Sequence, residues 1–331
     1  MKKSVFLSFF LILYFLATPL SGYAEEFEIK HADNLEADKQ QISIKGNILI
    51  KYKDALIEAP EGKVETDEDG KPTTAIFTGR AKIKLKDRKI EADKIKIVLT
   101  DQSIKAEGNV ISELKDKKSN PITIASDSQD LYWNGEDANA NGNIRTTYGD
   151  TIISSDTAKV VYKNKKPYQA FFTGEKRKAN LEQPNNLISA KQFIFDINTQ
   201  DIKAESDVKG IIWPHKEKTK EEQQPINITS DELFINQADS TITAKSAPPR
   251  LINLSYEGTI GRSNEGVLLR EKSTGKPKKL IFKGNADVKQ EDKQLTSEEI
   301  VFNIEEKKLF SNTKDNTRPK TTFFKKAVSK Q

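Results

Sequence analysis

The chain has 331 residues, a formal net charge of +5 and no cysteine. The lack of cysteine excludes a disulfide framework, a thiol nucleophile and a thiolate metal site, and two histidines, His31 and His215, are too few for a histidine metal cluster. The basic excess is small and spread along the chain, so it indicates no nucleic-acid partner. We therefore expect a packed core without metal or cofactor.

The first 24 residues have the pattern of a secretory signal peptide. Lys2 and Lys3 precede an apolar run from Val5 to Leu20, and small residues, Gly22 and Ala24, occupy the positions that cleavage requires. The pattern predicts export to the periplasm with cleavage after Ala24. The alternative is an uncleaved membrane anchor, because the run approaches the length of a short span.

Residues 25–312 repeat two sequence elements with a period of about 32 residues. One is a small residue followed by an acidic residue, which leads into alternating apolar residues; Ala92-Asp93 and Ser230-Asp231 are examples. The other is a glycine turn, such as Gly46-Asn47 or Gly108-Asn109, flanked by alternating residues. The elements predict many antiparallel strands separated by Gly-Asn, Asp-Gly and charged turns.

Apolar residues recur at every second position after the acidic step, which places them on one face of each strand. Units of this size cannot bury an apolar face alone, so we expect them to stack into an elongated, all-β, antiparallel β-roll. The predicted lining of its apolar groove is Ile42, Ile44, Ile48, Ile50, Ile95, Ile97, Leu99, Phe193, Phe195, Leu233, Ile235, Ile300 and Phe302. The alternative is that these side chains fill a closed core.

The ends of such a roll expose unpaired strand edges, which recruit further strands. The strand near residues 27–35 and the last one, at residues 300–310, are the predicted docking edges, unless the tails cap them. Residues 313–331 are basic and polar and are predicted to be a disordered tail. We expect one continuous or slightly broken roll, and a boundary between two rolls would lie near residues 213–225, after Trp213-Pro214.

The segments at residues 28–64 and 89–110, with their SIKGNI and SIKAEGNV motifs, resemble the LptA/OstA-like family of periplasmic lipopolysaccharide-transport proteins. The resemblance extends over residues 26–312, although this chain is longer than a typical member. It implies a twisted β-jellyroll whose interior holds lipopolysaccharide acyl chains. It also implies end-to-end joining of protomers into a bridge between an inner-membrane transporter component and an outer-membrane translocon.

The hypothesis from the sequence is therefore a non-enzymatic lipopolysaccharide carrier for outer-membrane assembly in a Gram-negative envelope. An adaptor of the same fold, which binds only proteins through its sheet edges, is the main alternative. A parallel β-helix enzyme acting on envelope polysaccharide is a weaker one, because the Asp and Glu residues recur in phase with the repeat and form no single carboxylate cluster. No catalytic residues are predicted.

Overall fold

The computed structural model describes residues 27–38, 40–85, 88–116, 118–133, 137–164, 166–214, 223–312 and 319–323. The regular secondary structure of these residues is entirely β, in one antiparallel sheet of 24 strands, so the predicted fold class is confirmed. The predicted signal peptide lies outside the described residues. Within the described part of the chain, no helix is long and apolar enough to cross a membrane.

The strands follow one another along the chain with short connections. Their bounds are β1 Phe27–His31, β2 Asn34–Ala37, β3 Gln41–Tyr52, β4 Ala55–Thr66, β5 Pro72–Lys84, β6 Arg88–Val98, β7 Ser103–Lys115, β8 Pro121–Tyr132, β9 Ala138–Tyr148, β10 Thr151–Lys163, β11 Lys166–Thr173 and β12 Ala179–Gln183. They continue with β13 Asn186–Ala190, β14 Gln192–Asp196, β15 Ile202–Ile212, β16 Ile226–Asn236, β17 Thr241–Lys245, β18 Ile252–Tyr256, β19 Thr259–Ser263, β20 Glu265–Arg270, β21 Pro277–Gln290, β22 Lys293–Asn303, β23 Lys308–Asn312 and β24 Lys320–Phe323.

Each long strand is shared between two layers. The first half of β3 pairs with β2 and its second half pairs with β1, while β10 divides in the same way between β12 and β11. We call the layer that begins at β1 and ends at β24 the first sheet, and the layer that begins at β2 and ends at β23 the second sheet. The protein is thus a meander of bent strands, folded into a two-layered roll.

The bends occur at β-bulges in the middle of the strands. In β7 the register with β8 shifts between Glu107 and Val110, and the intervening Gly108 and Asn109 both have positive φ, +78° and +46°. Glycine adopts such a φ without steric cost, and a bulge sharpens the bend of a strand. The row of bends forms one long side of the roll, which we call the bulge edge.

The two repeated sequence elements are bonded to each other along the bulge edge. The Asn109 amide donates to the Asp93 carboxylate at 2.7 Å, and the Asn47 amide donates to Asp33 at 2.9 Å. The prediction that Gly-Asn pairs are turns between strands is therefore wrong: they are bulges within β3, β7, β9 and β21. Asp69-Gly70, in contrast, lies in a true turn between β4 and β5.

The hairpin turns of both sheets meet on the opposite side, which we call the turn edge. There Trp133, which follows β8 of the second sheet, donates to the Asp54 carboxylate between β3 and β4 of the first sheet, at 3.2 Å. Around the loop at residues 213–225 the ladder is continuous, since β15 pairs with β16 on both sides of a bulge. Within the predicted tail, Lys320–Phe323 form β24 and pair with β22, so the last strand of the described residues is β24 and not residues 300–310.

Candidate functional site

The predicted groove residues all point into the space between the two sheets. Eleven of the thirteen are buried, and the other two, Ile42 and Leu99, are partly buried and pack against the same apolar cluster. Ile48 and Ile50 belong to the first sheet, and the other eleven lie along the second sheet or at its margin. The residues predicted from the sequence pattern therefore belong almost entirely to one wall of the interior, the second sheet.

The opposite wall is formed by the strand halves that precede the acidic step and by those that follow the glycine bulge. Its buried side chains include Ile57, Ile83, Ile90, Val110, Ile124, Ile153, Leu181, Ile188, Ile228, Leu254 and Val288. A signal for this wall exists in the sequence, because an isoleucine stands three residues before the acidic residue in several copies, as Ile90 does before Asp93.

The two walls touch each other over much of the roll. A Cβ atom on Gly210 of the first sheet would lie 3.6 Å from Cδ1 of Leu233 in the second sheet. The ring of Phe282 in the second sheet packs so closely on Gly261 of the first that no side chain would fit there. In this structure the interior is consequently a packed core and not an open groove.

One internal cavity interrupts the packing near the middle of the roll. It has about 20 Å³ of free space, enough for one water molecule by volume. Both walls line it, with Ile122, Ile124 and Ile153 from the first sheet and Phe172 and Phe195 from the second. The Thr146 hydroxyl, also in the lining, is buried without a hydrogen-bond partner.

Above this cavity Tyr148 joins the two sheets across the turn edge. Its hydroxyl donates to the Asp116 carboxylate at 2.6 Å and accepts from the side-chain amide of Gln200, in the second sheet, at 2.9 Å. Burial, together with the bond to Asp116, raises the pKa of Tyr148. Burial also raises the pKa of Asp116, but hydrogen bonds from Tyr148 and Asn120 outweigh this effect and leave it below its ordinary value.

Further contacts close the turn edge on either side of Tyr148. The Tyr52 and Trp133 rings meet edge to face with centroids 5.0 Å apart, and Arg88 lies 5.2 Å from the centroid of Tyr162. Towards the C-terminus, Lys307 of the second sheet forms a 2.8 Å ion pair with Glu257 of the first. Along the turn edge the two sheets are thus held together by contacts between side chains. Along the bulge edge the backbone of each long strand runs from one sheet into the other.

A cleft of about 660 Å³ lies at the turn edge, outside Tyr148. The first sheet lines it with Gly149, Asp150, Asn186 and Trp213 among others, and the second with Gln200, Ser240, Arg270 and residues 272–275. Tyr148, Thr151 and Phe195 line both the cleft and the internal cavity, so they form the partition between the two spaces.

The ends of the roll present unpaired strand edges. Within the described residues, β1 and β2 pair only with β3, and β23 and β24 pair only with β22. Three of these four strands carry a large exposed apolar side chain: Leu35, Phe310 and Phe323 are 41%, 45% and 69% exposed. Of the predicted docking edges, the first corresponds to β1 and β2, and the second to the end of β22 and most of β23. The exposed edge of β24 was not predicted.

Comparison with known proteins gives a structural likeness. No family model matches the chain, and no curated protein matches it. A solved structure, LptH of Pseudomonas aeruginosa, described as the LptA-homologous periplasmic component of the lipopolysaccharide transport device, is similar with 16% identity and a TM-score of 0.35. The match covers 43% of this chain and 99% of that one. Likeness at this level does not carry function from one protein to another.

Proposed function

We propose that this protein is a periplasmic carrier that holds the acyl chains of lipopolysaccharide between its two sheets. The observation that carries the proposal is the asymmetry of the roll. Two apolar walls run the length of the molecule; backbone joins them along the bulge edge, and mainly side-chain contacts such as Tyr148–Gln200 join them along the turn edge. The signal-peptide pattern of residues 1–24 supports export.

Acyl chains enter when the turn edge opens and the walls separate. Separation alone is costly, since exposing one large buried aliphatic side chain costs about 1.5–3 kcal/mol. An acyl chain that fills the gap restores the lost contacts and itself gains about 0.8 kcal/mol for each methylene removed from water. Because all thirteen predicted lining residues are hydrocarbon side chains, they offer a sliding lipid no fixed polar contact. Direction would come from an energised partner at one end.

Site-specific photocrosslinking tests the proposal. Benzoylphenylalanine replaces Phe193 or Phe302, which are buried between the walls, and in the matched control it replaces Phe234, which is 38% exposed on the outer face of β16. The exported, full-length protein is irradiated in cells that make lipopolysaccharide. Adducts at Phe193 and Phe302 but not at Phe234 are expected. Folded protein without adducts at the inward positions would exclude the carrier function.

A second candidate function is that of an adaptor, which the exposed apolar side chains on the terminal strands favour. A partner strand added to the edge of β2 or β24 would cover Leu35 or Phe323 and extend the sheets. Such end-to-end joining also suits a bridge between an inner-membrane transporter component and an outer-membrane translocon. The same end-to-end joining would form a homo-oligomer if β23 and β24 of one copy paired with β2 and β1 of the next.

Charged substitutions at the ends separate the two functions. Leu35→Lys and Phe323→Lys are expected to weaken end-to-end association, measured by analytical ultracentrifugation with and without partner domains, and to leave lipid adducts at Phe193 intact. Ile260→Lys is the matched control, because Ile260 is equally exposed, at 45%, but lies in β19 inside the sheet. Loss of association with the control as well would rule out specific edge pairing.

A further inference from the structure

The cleft at the turn edge contains a partly buried cation without an acidic partner. Arg270 is the last residue of β20 and lies half-buried in the lining of the cleft. The polar contact of its guanidinium is a 3.4 Å hydrogen bond from Nε to the Ser240 carbonyl. Among the described residues no carboxylate lies within ion-pair distance of it. Burial lowers the pKa of Arg270, and no acidic group offsets that effect.

A partly buried guanidinium without a counter-ion is unfavourable, and an anion that pairs with it removes this cost. The charged side chains that share the cleft are Lys272, which adds positive charge, and Asp150, which is exposed in the turn after β9. Asp116, which lies beside the cleft, is already bonded by Tyr148 and Asn120. The part of the cleft around Arg270 is therefore suited to an anionic group.

The cleft also has an unused hydrogen-bond acceptor. Asn186 is 4% exposed; its amide nitrogen donates to Gln183 at 2.8 Å, whereas its Oδ1 is buried without a partner. On the other side of the Tyr148 partition, the Thr146 hydroxyl is likewise unpartnered inside the apolar cavity. A ligand with a hydroxyl group that donates to Asn186 Oδ1 and an ester carbonyl that accepts from the Thr146 hydroxyl, placed between an anionic head and an apolar tail, would satisfy both atoms.

We propose that this cleft is a lateral port for an anionic amphiphile, whose phosphate or carboxylate group binds Arg270 while its acyl chain displaces Tyr148 and Phe195 to reach the internal cavity. The port rests on the proposed carrier function and adds to it a specific place of lipid access in the middle of the roll. The cavity shows that the two walls do not fill the space between them at this place. Tyr148 closes the port when no ligand is bound.

Calorimetric titration of the full-length protein with dodecyl phosphate below its critical micelle concentration tests the port. We expect a stoichiometry near one. Arg270→Gln is expected to weaken binding about ten-fold or more, since a charge-assisted bond is lost. Arg250→Gln is the matched control and should bind as the unmodified protein does, because Arg250 is 72% exposed and pairs with Asp231 at the bulge edge. Tyr148→Phe should bind more tightly, because it removes the bond to Gln200 that must break.

Two further probes identify the part of the ligand that is recognised. Inorganic phosphate and the neutral dodecyl maltoside should each bind at least about ten-fold more weakly than dodecyl phosphate. If inorganic phosphate binds as tightly as dodecyl phosphate, the cleft is a site for free anions and not for an amphiphile. If dodecyl maltoside binds as tightly, Arg270 does not recognise the charged head group. Either result, or unchanged affinity in Arg270→Gln, overturns the port.

Failure of the port and failure of the carrier function give different results. Lipopolysaccharide adducts at Phe302 in a protein that does not bind dodecyl phosphate would overturn the port and leave the carrier function standing. Binding that depends on Arg270, without adducts at Phe302 or Phe193, would support the port and contradict transport along the roll.

Discussion

Removal of the Tyr148 hydroxyl tests whether side-chain contacts hold the turn edge closed. Tyr148→Phe keeps the ring, which packs edge to face on Phe195 with centroids 5.6 Å apart, and deletes the bonds to Asp116 and Gln200. Asp116 keeps its bonds from Asn120 and from the Lys118 backbone, so it is not left unsatisfied. We expect a loss of about 2 kcal/mol, mainly from the charge-assisted bond, and a melting temperature lower by about 4 °C.

The effect should depend on pH with a defined sign. The folded state lowers the pKa of Asp116 below its ordinary value of 3.8, so its bonds stabilise the protein above that value, and the stabilisation is lost as the pH falls through the depressed pKa. Thermal unfolding followed by circular dichroism should show the full difference between Tyr148→Phe and the unmodified protein at neutral pH, and a smaller one in acid. Tyr132→Phe, which alters an exposed tyrosine, is the control. An equal difference at both pH values, or none, would refute the role assigned to Tyr148.

The remaining predictions concern the packed interior and the bulge edge. Gly261→Val should lower the melting temperature strongly, because the new side chain collides with Phe282. Gly210→Ala is the control and should cost far less in the same thermal scan, because the nearest atom to the new Cβ would lie at an ordinary contact distance of 3.6 Å. Asn109→Gly keeps a residue that tolerates positive φ and removes the bond to Asp93, so chemical denaturation should show a loss of about 1 kcal/mol. A loss near zero for Asn109→Gly would mean that backbone geometry alone forms the bend.

Alternation of apolar residues was sufficient to predict the strands and one wall of the interior. Ile95 and Ile97 follow the acidic step with a period of two, and both are buried. The same local signal could not distinguish a turn from a bulge, because residues with positive φ serve both. What decides the matter at Gly108-Asn109 is the bond between Asn109 and Asp93, 16 residues away, which fixes two strands side by side.

The turn-edge contacts depend on how the whole roll folds over, so periodicity carries no information about them. Trp133 meets Asp54 across 79 residues of sequence, and Gln200 meets Tyr148 across 52. The sequence around Arg270 carries no motif that marks it as a binding residue. The placement of Arg270 in a cleft beside an apolar cavity follows from the connection of β20 to β21 at the turn edge of the second sheet.

The most direct test of the account is a distance measurement across the turn edge with lipid present and absent. The chain has no cysteine, so Asp150→Cys together with Ser273→Cys gives two clean sites for spin labels, one on each side of the cleft. Asp150→Cys with Asn227→Cys, both on the first sheet, is the control pair. Double electron–electron resonance should show a longer distance for the first pair when lipopolysaccharide is added, and no change for the control. An unchanged distance in the first pair with lipopolysaccharide bound would contradict opening of the two walls.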